Sequence, residues 1–151
     1  MALEPGQITV GSRVIKPEDD QTVLVERTLR SGQSVFYAGN VVILGDVNPG
    51  AQVTATGDVI VVGSLRGTVH AGAGGNEKAM VVAFRFEPTQ LRIASHIARP
   101  PEGMISTGQP EVARIKDGLV TIEAYLATGE RQAGGAKVTR KLAGARIENG
   151  G

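Results

Sequence analysis

Residues 32–66 nearly repeat themselves, and this repeat constrains the fold of the chain more than any other feature of the sequence. With an offset of 18 residues, the glycines at 32, 39 and 45 fall on the glycines at 50, 57 and 63. Four apolar residues align in the same way: Val35, Val41, Ile43 and Val47 fall on Val53, Val59, Val61 and Leu65. Such a repeat indicates a stacked architecture, because one copy alone cannot bury its apolar face.

Each copy of the repeat consists of short runs that are rich in β-branched residues and separated by glycine. Residues 41–44 and 59–62 have strand propensity, are too short for helices and lie between turn signals. Three runs per 18 residues fit one triangular coil of a parallel β-helix, whose coils stack about 4.8 Å apart. Alternation along the strands then points Val35, Tyr37 and Val53 inward.

Two further coils become visible when insertions are allowed. Val35, Val53, Val69 and Leu91 share one position in successive coils, and residues 72–79 form an extra loop before the last one. The sequence therefore predicts an all-β, three-sided parallel β-helix of about four coils. Both ends of such a solenoid present open strand edges, which need a cap or a partner chain.

The segments outside the repeats carry weaker signals. Residues 1–22 are interpreted as a mostly loose lead-in with two short extended pieces. Residues 111–125 predict a hairpin with an Asp-Gly turn, which would close the far end of the solenoid. Phe84 and Phe86 are interpreted either as inner filling or as a subunit contact. Residues 126–151, with five basic and two acidic groups, predict a disordered tail, with a weak membrane-surface helix as the alternative.

Composition and charge argue against several classes of function. Residues 28–125 carry eight basic and eight acidic groups, and this neutrality does not indicate nucleic-acid binding. The chain has no cysteine, which argues against a disulfide framework or a thiolate metal site and fits the cytosol. No apolar run approaches the length of a membrane-spanning helix.

No catalytic or cofactor-binding constellation is evident either. Asp46 and Asp58 follow glycines at different corners, so they are interpreted as turn residues that accept hydrogen bonds from nearby backbone amides. His70 and His96 lack the carboxylate neighbours that a metal site needs, so no metal is expected. The glycine-rich residues 72–78 lack the Lys-Ser or Lys-Thr ending and the following helix of a phosphate-binding loop. We therefore expect no cofactor and no enzymatic activity.

The first corner of the repeat holds Arg30, Ser31, Gly32 and Gln33. By spacing alone, this quartet is interpreted as a turn with solvated side chains. Arg30 still stands out, because an arginine at a glycine turn can form paired hydrogen bonds with a carboxylate of a partner.

The chain resembles the C-terminal domain of MinC, the septum site-determining protein of bacteria, over about residues 23–125. The resemblance is carried by these segments: residues 24–33, 45–51, 57–58, 63–67, 71–74, 88–94 and 110–115. It implies a right-handed β-helix that forms a homodimer. It also implies a cytoplasmic protein that binds the membrane-attached ATPase MinD and is thereby recruited to the inner face of the membrane.

The same resemblance implies that Arg30, Ser31, Gly32 and Gln33 form the surface that binds MinD. It further implies a part in antagonising the division protein FtsZ. In this family an N-terminal domain carries most of the FtsZ inhibition, whereas only a short segment precedes the match here, so a direct contact with FtsZ is left open.

Two other functions remain open on the sequence. A bactofilin-like protein would polymerise end to end through its open coils, although the predicted hairpin would block one end. An acyltransferase built from hexapeptide repeats would need a general base, and the histidines do not lie near partner carboxylates in the sequence.

Overall fold

The structure is a computed structural model that describes residues 8–10, 13–15, 21–99, 107–125, 139–141 and 146–147. Every regular element in these ranges is a β-strand, which confirms the predicted all-β class. The strands of the repeat region are β3 (Thr22–Val25), β4 (Ser34–Tyr37), β5 (Asn40–Ile43), β6 (Gln52–Ala55), β7 (Val59–Leu65), β8 (Thr68–Ala71), β9 (Val81–Phe86) and β10 (Gln90–Ile93). The others are β1 (Ile8–Val10), β2 (Arg13–Ile15), β11 (His96–Ala98), β12 (Glu111–Lys116), β13 (Leu119–Ala124), β14 (Thr139–Lys141) and β15 (Arg146–Ile147).

The chain winds into about four coils with three faces. The first face is the parallel stack of β3, β5, β7 and β9. The second face is narrow and consists of the paired positions Leu29, Val47, Leu65 and Phe86. The third face is the parallel stack of β4, β6, β8 and β10. The predicted three-sided solenoid is confirmed, while its right-handedness stays a prediction.

The alignment of the repeat predicts the register of the third face. Val35 pairs with Val53, Val53 with Val69, and Val69 with Leu91, as the spacing of these residues indicates. The insertion between the third and fourth coils lies between β8 and β9, in the glycine-rich loop. Residues that are separated by the repeat offset thus occupy the same place in successive coils.

The inward residues of the three faces form one narrow aliphatic core. Val41, Val59 and Val81 are fully buried on the first face, and Val53 and Leu91 are buried on the third. Phe86 is also buried, whereas Phe84 points outward and is 46% exposed. Inner filling is therefore confirmed for Phe86, whereas the subunit contact stays a prediction for Phe84.

The far end of the solenoid is capped by antiparallel strands. The hairpin of β12 and β13 adds to the edge of β9, as predicted, and its turn places Asp117 and Gly118 at positive φ of 52° and 76°. On the third face, β11 folds back onto β10 through Ala94, which has a φ of 54°. This second cap was not predicted, because residues 89–98 read as one continuous last coil.

Polar side chains connect successive coils at two corners. Asp46 Oδ1 accepts a hydrogen bond from the amide of Ser64 at 2.8 Å, and Asp58 Oδ1 accepts one from the amide of Met80 at 2.9 Å. The prediction that these aspartates bond nearby amides therefore needs a correction. Their carboxylate oxygens accept hydrogen bonds from the amides at the equivalent position of the next coil. The coils stack closely enough for a short side chain to bridge them.

The predicted lead-in, residues 1–22, and the predicted tail, residues 126–151, lie for the most part outside the described residues. Within them the structure gives the backbone of four short strands. β1 and β2 pair with each other, β14 pairs with β13, and β15 pairs with β11. The limits of the lead-in, of the tail and of the solenoid between them stay predictions.

Candidate functional site

The quartet Arg30, Ser31, Gly32 and Gln33 forms a closed turn at the corner between the second and third faces. The amide of Gln33 donates to the carbonyl of Arg30 at 2.9 Å, and the amide of Arg30 donates to Oε1 of Gln33 at 2.8 Å. Gly32 has a φ of +87°, which suits the third residue of a type II turn and which other residues adopt only with strain. These bonds hold the turn in one shape.

The turn is also fixed to the coil beneath it. The amide of Gly32 donates to the carbonyl of Gly50 at 3.0 Å, and the carbonyl of Gln33 accepts from the amide of Gln52 at 3.0 Å. The side chain of Ser31 lies directly against Gly50, where a Cβ would overlap with the serine hydroxyl. The glycine of the next repeat therefore makes room for the quartet.

The outer side of the quartet is open to solvent. Arg30, Ser31 and Gly32 are exposed, and a Cβ built on Gly32 meets no atom within 4 Å. Within the described part of the chain, the guanidinium of Arg30 makes no hydrogen bond or ion pair. The turn therefore presents a free cation on a rigid backbone, and a partner can approach closely at Gly32.

The chemistry of the quartet suits recognition of a carboxylate-bearing surface. The guanidinium of Arg30 can donate two parallel hydrogen bonds to a carboxylate. The amide oxygen of Gln33 is engaged inside the turn, so its NH₂ group is the part that can donate outward. The structure thus brings the four predicted residues together and narrows the role expected of Gln33.

One exposed aromatic residue near the quartet was missed by the sequence analysis. Phe36 lies on β4, three residues after Gln33, and is 73% exposed. Its counterparts in the following coils are Thr54, His70 and Arg92, which are all polar. Phe36 interrupts this outward-facing column of polar residues, and this interruption is the feature of the sequence that could have identified it.

A second distinctive surface covers the outside of the first face. We call it the outer apolar group; its members are Leu24, Val42, Leu44, Ile60, Val62 and Phe84. They alternate along the chain with the inward-facing residues of β3, β5, β7 and β9, which are partly buried on β3 and buried on the other strands. Leu24, Leu44 and Phe84 are the most exposed members of the group. Of this group, only Phe84 was predicted from the sequence as a candidate subunit contact.

The two histidines lie apart from the quartet. The Nε2 atom of His70 is 2.9 Å from the carbonyl oxygen of Ala94. Burial lowers the pKa of His70 below its ordinary value of 6.5, and the nearby charge of Arg92 lowers it further against the opposing effect of the Ala94 bond. His96 is buried, and its Nε2 atom lies 3.1 Å from Oε2 of Glu77. The expectation that neither histidine lies near a carboxylate is therefore wrong for His96, because the glycine-rich loop brings Glu77 against it.

Other types of site are not evident in the described ranges. They contain no group of three or more His, Cys, Asp or Glu residues that could hold a metal ion. Nor do they contain a helix long and apolar enough to cross a membrane. An open polar cavity of about 330 Å³ lies at the corner between the third and first faces, where Asn40, Asp58 and Lys78 are among its lining.

The family model described as "Septum formation inhibitor MinC, C-terminal domain" matches residues 23–125. The chain is 61% identical over 108 residues to a probable septum site-determining protein MinC of Heliobacterium modesticaldum, a match that covers 71% of this chain and 37% of the relative. It is 60% identical over 111 residues to the corresponding protein of Acetivibrio thermocellus, with coverage of 72% and 49%. The chain therefore spans half or less of the length of these relatives.

A solved structure has the same fold. It is described as the MinC:MinD cell division protein complex of Aquifex aeolicus, and the chain matches it with a TM-score of 0.69 and 40% identity. The match covers 72% of this chain and 90% of the other chain. The solenoid is thus similar to a protein that has been solved in a complex with MinD.

Proposed function

Because the chain belongs to the family of MinC C-terminal domains, we propose that it is a component of a cell division inhibitor that docks on the ATPase MinD. In this proposal the chain is a binding module without catalytic activity. MinD carries it from the cytoplasm to the inner face of the membrane, where it helps to prevent misplaced assembly of FtsZ. The neighbour solved in a MinC:MinD complex supports the choice of partner.

We further propose that the quartet Arg30, Ser31, Gly32 and Gln33 makes the contact with MinD. The observation that carries this assignment is a rigid turn that holds the exposed guanidinium of Arg30 beside the open backbone of Gly32. A preorganised turn loses little conformational entropy on binding. Arg30 supplies charge-assisted hydrogen bonds, Gln33 supplies its amide group, and Gly32 permits close approach of the partner.

A pull-down with ATP-loaded MinD tests the proposal. Gly32→Asp places a carboxylate in the open space at the turn, so it should abolish binding, and Arg30→Ala should weaken binding strongly. Gly74→Asp is the matched control, because Gly74 also has positive φ and open space around it but lies on the glycine-rich loop. Binding by Gly32→Asp and Arg30→Ala at the level of the unmodified chain would overturn the assignment of the site.

The homodimer is also part of the proposed function. The outer apolar group offers a contiguous surface of aliphatic and aromatic side chains, with Leu24, Leu44 and Phe84 between 42% and 51% exposed. Contiguous exposed apolar surface of this kind is typical of interfaces between proteins. We propose that two copies of the chain pair through this group, which leaves the quartet free for MinD.

Polymerisation end to end, as in a bactofilin-like filament, is the alternative function. The antiparallel cap that β12 forms on β9 argues against it, because the capped strand edge no longer offers free backbone groups to another copy. Light scattering distinguishes the two functions: a discrete dimer at all concentrations supports the binding module, and growing assemblies support the filament.

A further inference from the structure

We propose that the MinD-docking surface extends from the quartet onto the third face, with Phe36 as its apolar anchor and Arg30 and Arg66 as its flanking cations. This inference rests on the proposed function, since it takes MinD as the partner and the quartet as the site. It assigns to Phe36 and Arg66 a role that the resemblance to the family did not imply.

The position of Phe36 is the first observation. It lies on β4, an edge strand of its sheet among the described residues, so one neighbouring strand covers it on one side only. At about 3.3 Å per residue, Phe36 lies about 10 Å along the strand from Gln33. Its ring and the quartet therefore belong to one surface, small enough for a single partner to cover both.

The chemistry of the column is the second observation. The outward positions that follow Phe36 in register are Thr54, His70 and Arg92, and only the first coil places a large apolar group there. Phe36 is also the most exposed of the large hydrophobic residues in the described ranges, at 73%. Aromatic and arginine side chains that share one surface are typical of binding hot spots.

The charge of the surface is the third observation. The strands β4, β6, β8 and β10 contain no Asp or Glu residue. Arg66 is exposed at the same corner as Arg30, 36 residues later and hence two coils away, at about 10 Å for a coil spacing of about 4.8 Å. The surface therefore fits a partner that presents an apolar pocket flanked by carboxylates, since opposite charges around an apolar centre favour association.

The test measures the dissociation constant for ATP-loaded MinD of Aquifex aeolicus with the full chain and its variants. We expect Phe36→Ala to bind at least about tenfold more weakly, as is usual for an aromatic anchor that becomes buried in the complex. Phe36→Tyr should retain most of the affinity. Leu119→Ala is the matched control, because Leu119 is an exposed apolar residue at the hairpin turn. Phe36 is largely exposed, so Phe36→Ala should keep the thermal midpoint of the unmodified chain.

Charge is tested separately with Arg66→Glu and its control Lys78→Glu. Arg66→Glu should weaken binding most at low salt and less at high salt, because screening reduces the repulsion that the new carboxylate introduces. Lys78 is exposed on the glycine-rich loop, and its reversal should leave binding nearly unchanged.

The outcomes separate this inference from the function on which it rests. If the unmodified chain binds MinD and Arg30→Ala weakens binding while Phe36→Ala does not, the extended surface is wrong and the proposed function stands. If the unmodified chain does not bind MinD at all, both the proposed function and this inference are wrong. If Phe36→Ala instead turns the dimer into monomers, Phe36 belongs to the contact between copies and the inference is overturned.

Discussion

At two corners of the solenoid, a polar side chain of one coil hydrogen-bonds to the main-chain amide of the next. Thr28 Oγ1 accepts from the amide of Asp46 at 3.1 Å, and Asp46 in turn accepts from Ser64. At the other corner, Asn40 Oδ1 accepts from the amide of Asp58 at 2.7 Å, and Asp58 accepts from Met80. Amides that the corner would otherwise leave without a partner are satisfied, so these residues belong to the scaffold.

Substitution of Asp46 tests how much these hydrogen bonds between corner residues of successive coils stabilise the chain. Asp46→Ala removes the acceptor of the Ser64 amide, which lies in a buried residue, and should lower the free energy of unfolding by about 1–3 kcal/mol. Asp46→Asn keeps an oxygen in the same place and should lose much less. Urea denaturation of the three proteins measures the difference. Equal stability of Asp46→Ala and the unmodified chain would show that water replaces the bond.

His70 makes stability depend on pH. Its folded-state pKa is lowered, chiefly by burial, so below the ordinary value of 6.5 the unfolded chain takes up a proton that the folded chain does not. The free energy of unfolding should therefore fall as the pH decreases from about 7 towards the lowered pKa. His70→Thr, which copies the residue at the same position one coil earlier, should flatten this part of the profile. Identical profiles of both proteins between pH 7.5 and 5.5 would contradict the assignment.

At the scale of the strands and turns, the offset of 18 residues predicts which residues pair. Val35, Val53, Val69 and Leu91 share one column because a coil of fixed length returns each residue to the same place. The reversal at Ala94 could not be predicted in this way, since neither Ala94 nor Ser95 is a strong turn signal. The sequence placed the quartet at a corner, and the family resemblance supplied its expected role.

The exposed surfaces were harder to predict than the core. The exposure of Phe36 depends on β4 being an edge strand, which is a property of the whole sheet. The outer apolar group consists of residues that fit a strand equally well facing inward or outward. Composition does not distinguish a buried face from a face that contacts another molecule.

The hairpin cap offers a prediction at this scale. Ile122 lies fully buried on β13, so Ile122→Asp buries a charge and should destabilise the chain by at least about 3 kcal/mol. It should also expose the edge of β9 and promote association of partly unfolded chains. Leu119→Asp, at the exposed end of the same strand, is the control. Thermal unfolding and light scattering measure both effects, and equal behaviour of the two variants would contradict the role of the cap.

At the scale of the whole molecule, the solenoid separates two surfaces on a rigid body. The outer apolar group lies on the first face, and the quartet lies at the corner between the second and third faces. A dimer through the first face would therefore carry two quartets, one on each copy. Two linked sites bind a surface that displays many copies of the partner more tightly than one site does.

Leu44 tests whether the two surfaces act separately. Leu44→Asp places a charge within the outer apolar group and should convert the dimer into monomers, because an unpaired charge is costly in an apolar interface. The monomer should keep its affinity for MinD in solution, since the quartet is unchanged. Size-exclusion chromatography with light scattering gives the mass, with Leu119→Asp as the control. A Leu44→Asp protein that remains dimeric would place the interface elsewhere.

Co-sedimentation of the chain with lipid vesicles in the presence of MinD and ATP tests most directly whether the quartet docks the solenoid on MinD. We expect the unmodified chain and Gly74→Asp to sediment with the vesicles only when MinD and ATP are both present. We expect Gly32→Asp to stay in the supernatant. Its thermal midpoint should equal that of Gly74→Asp, which shows that the loss is not caused by unfolding. Sedimentation of Gly32→Asp together with MinD, or of the unmodified chain without MinD, would contradict the claim that the quartet docks this solenoid on MinD.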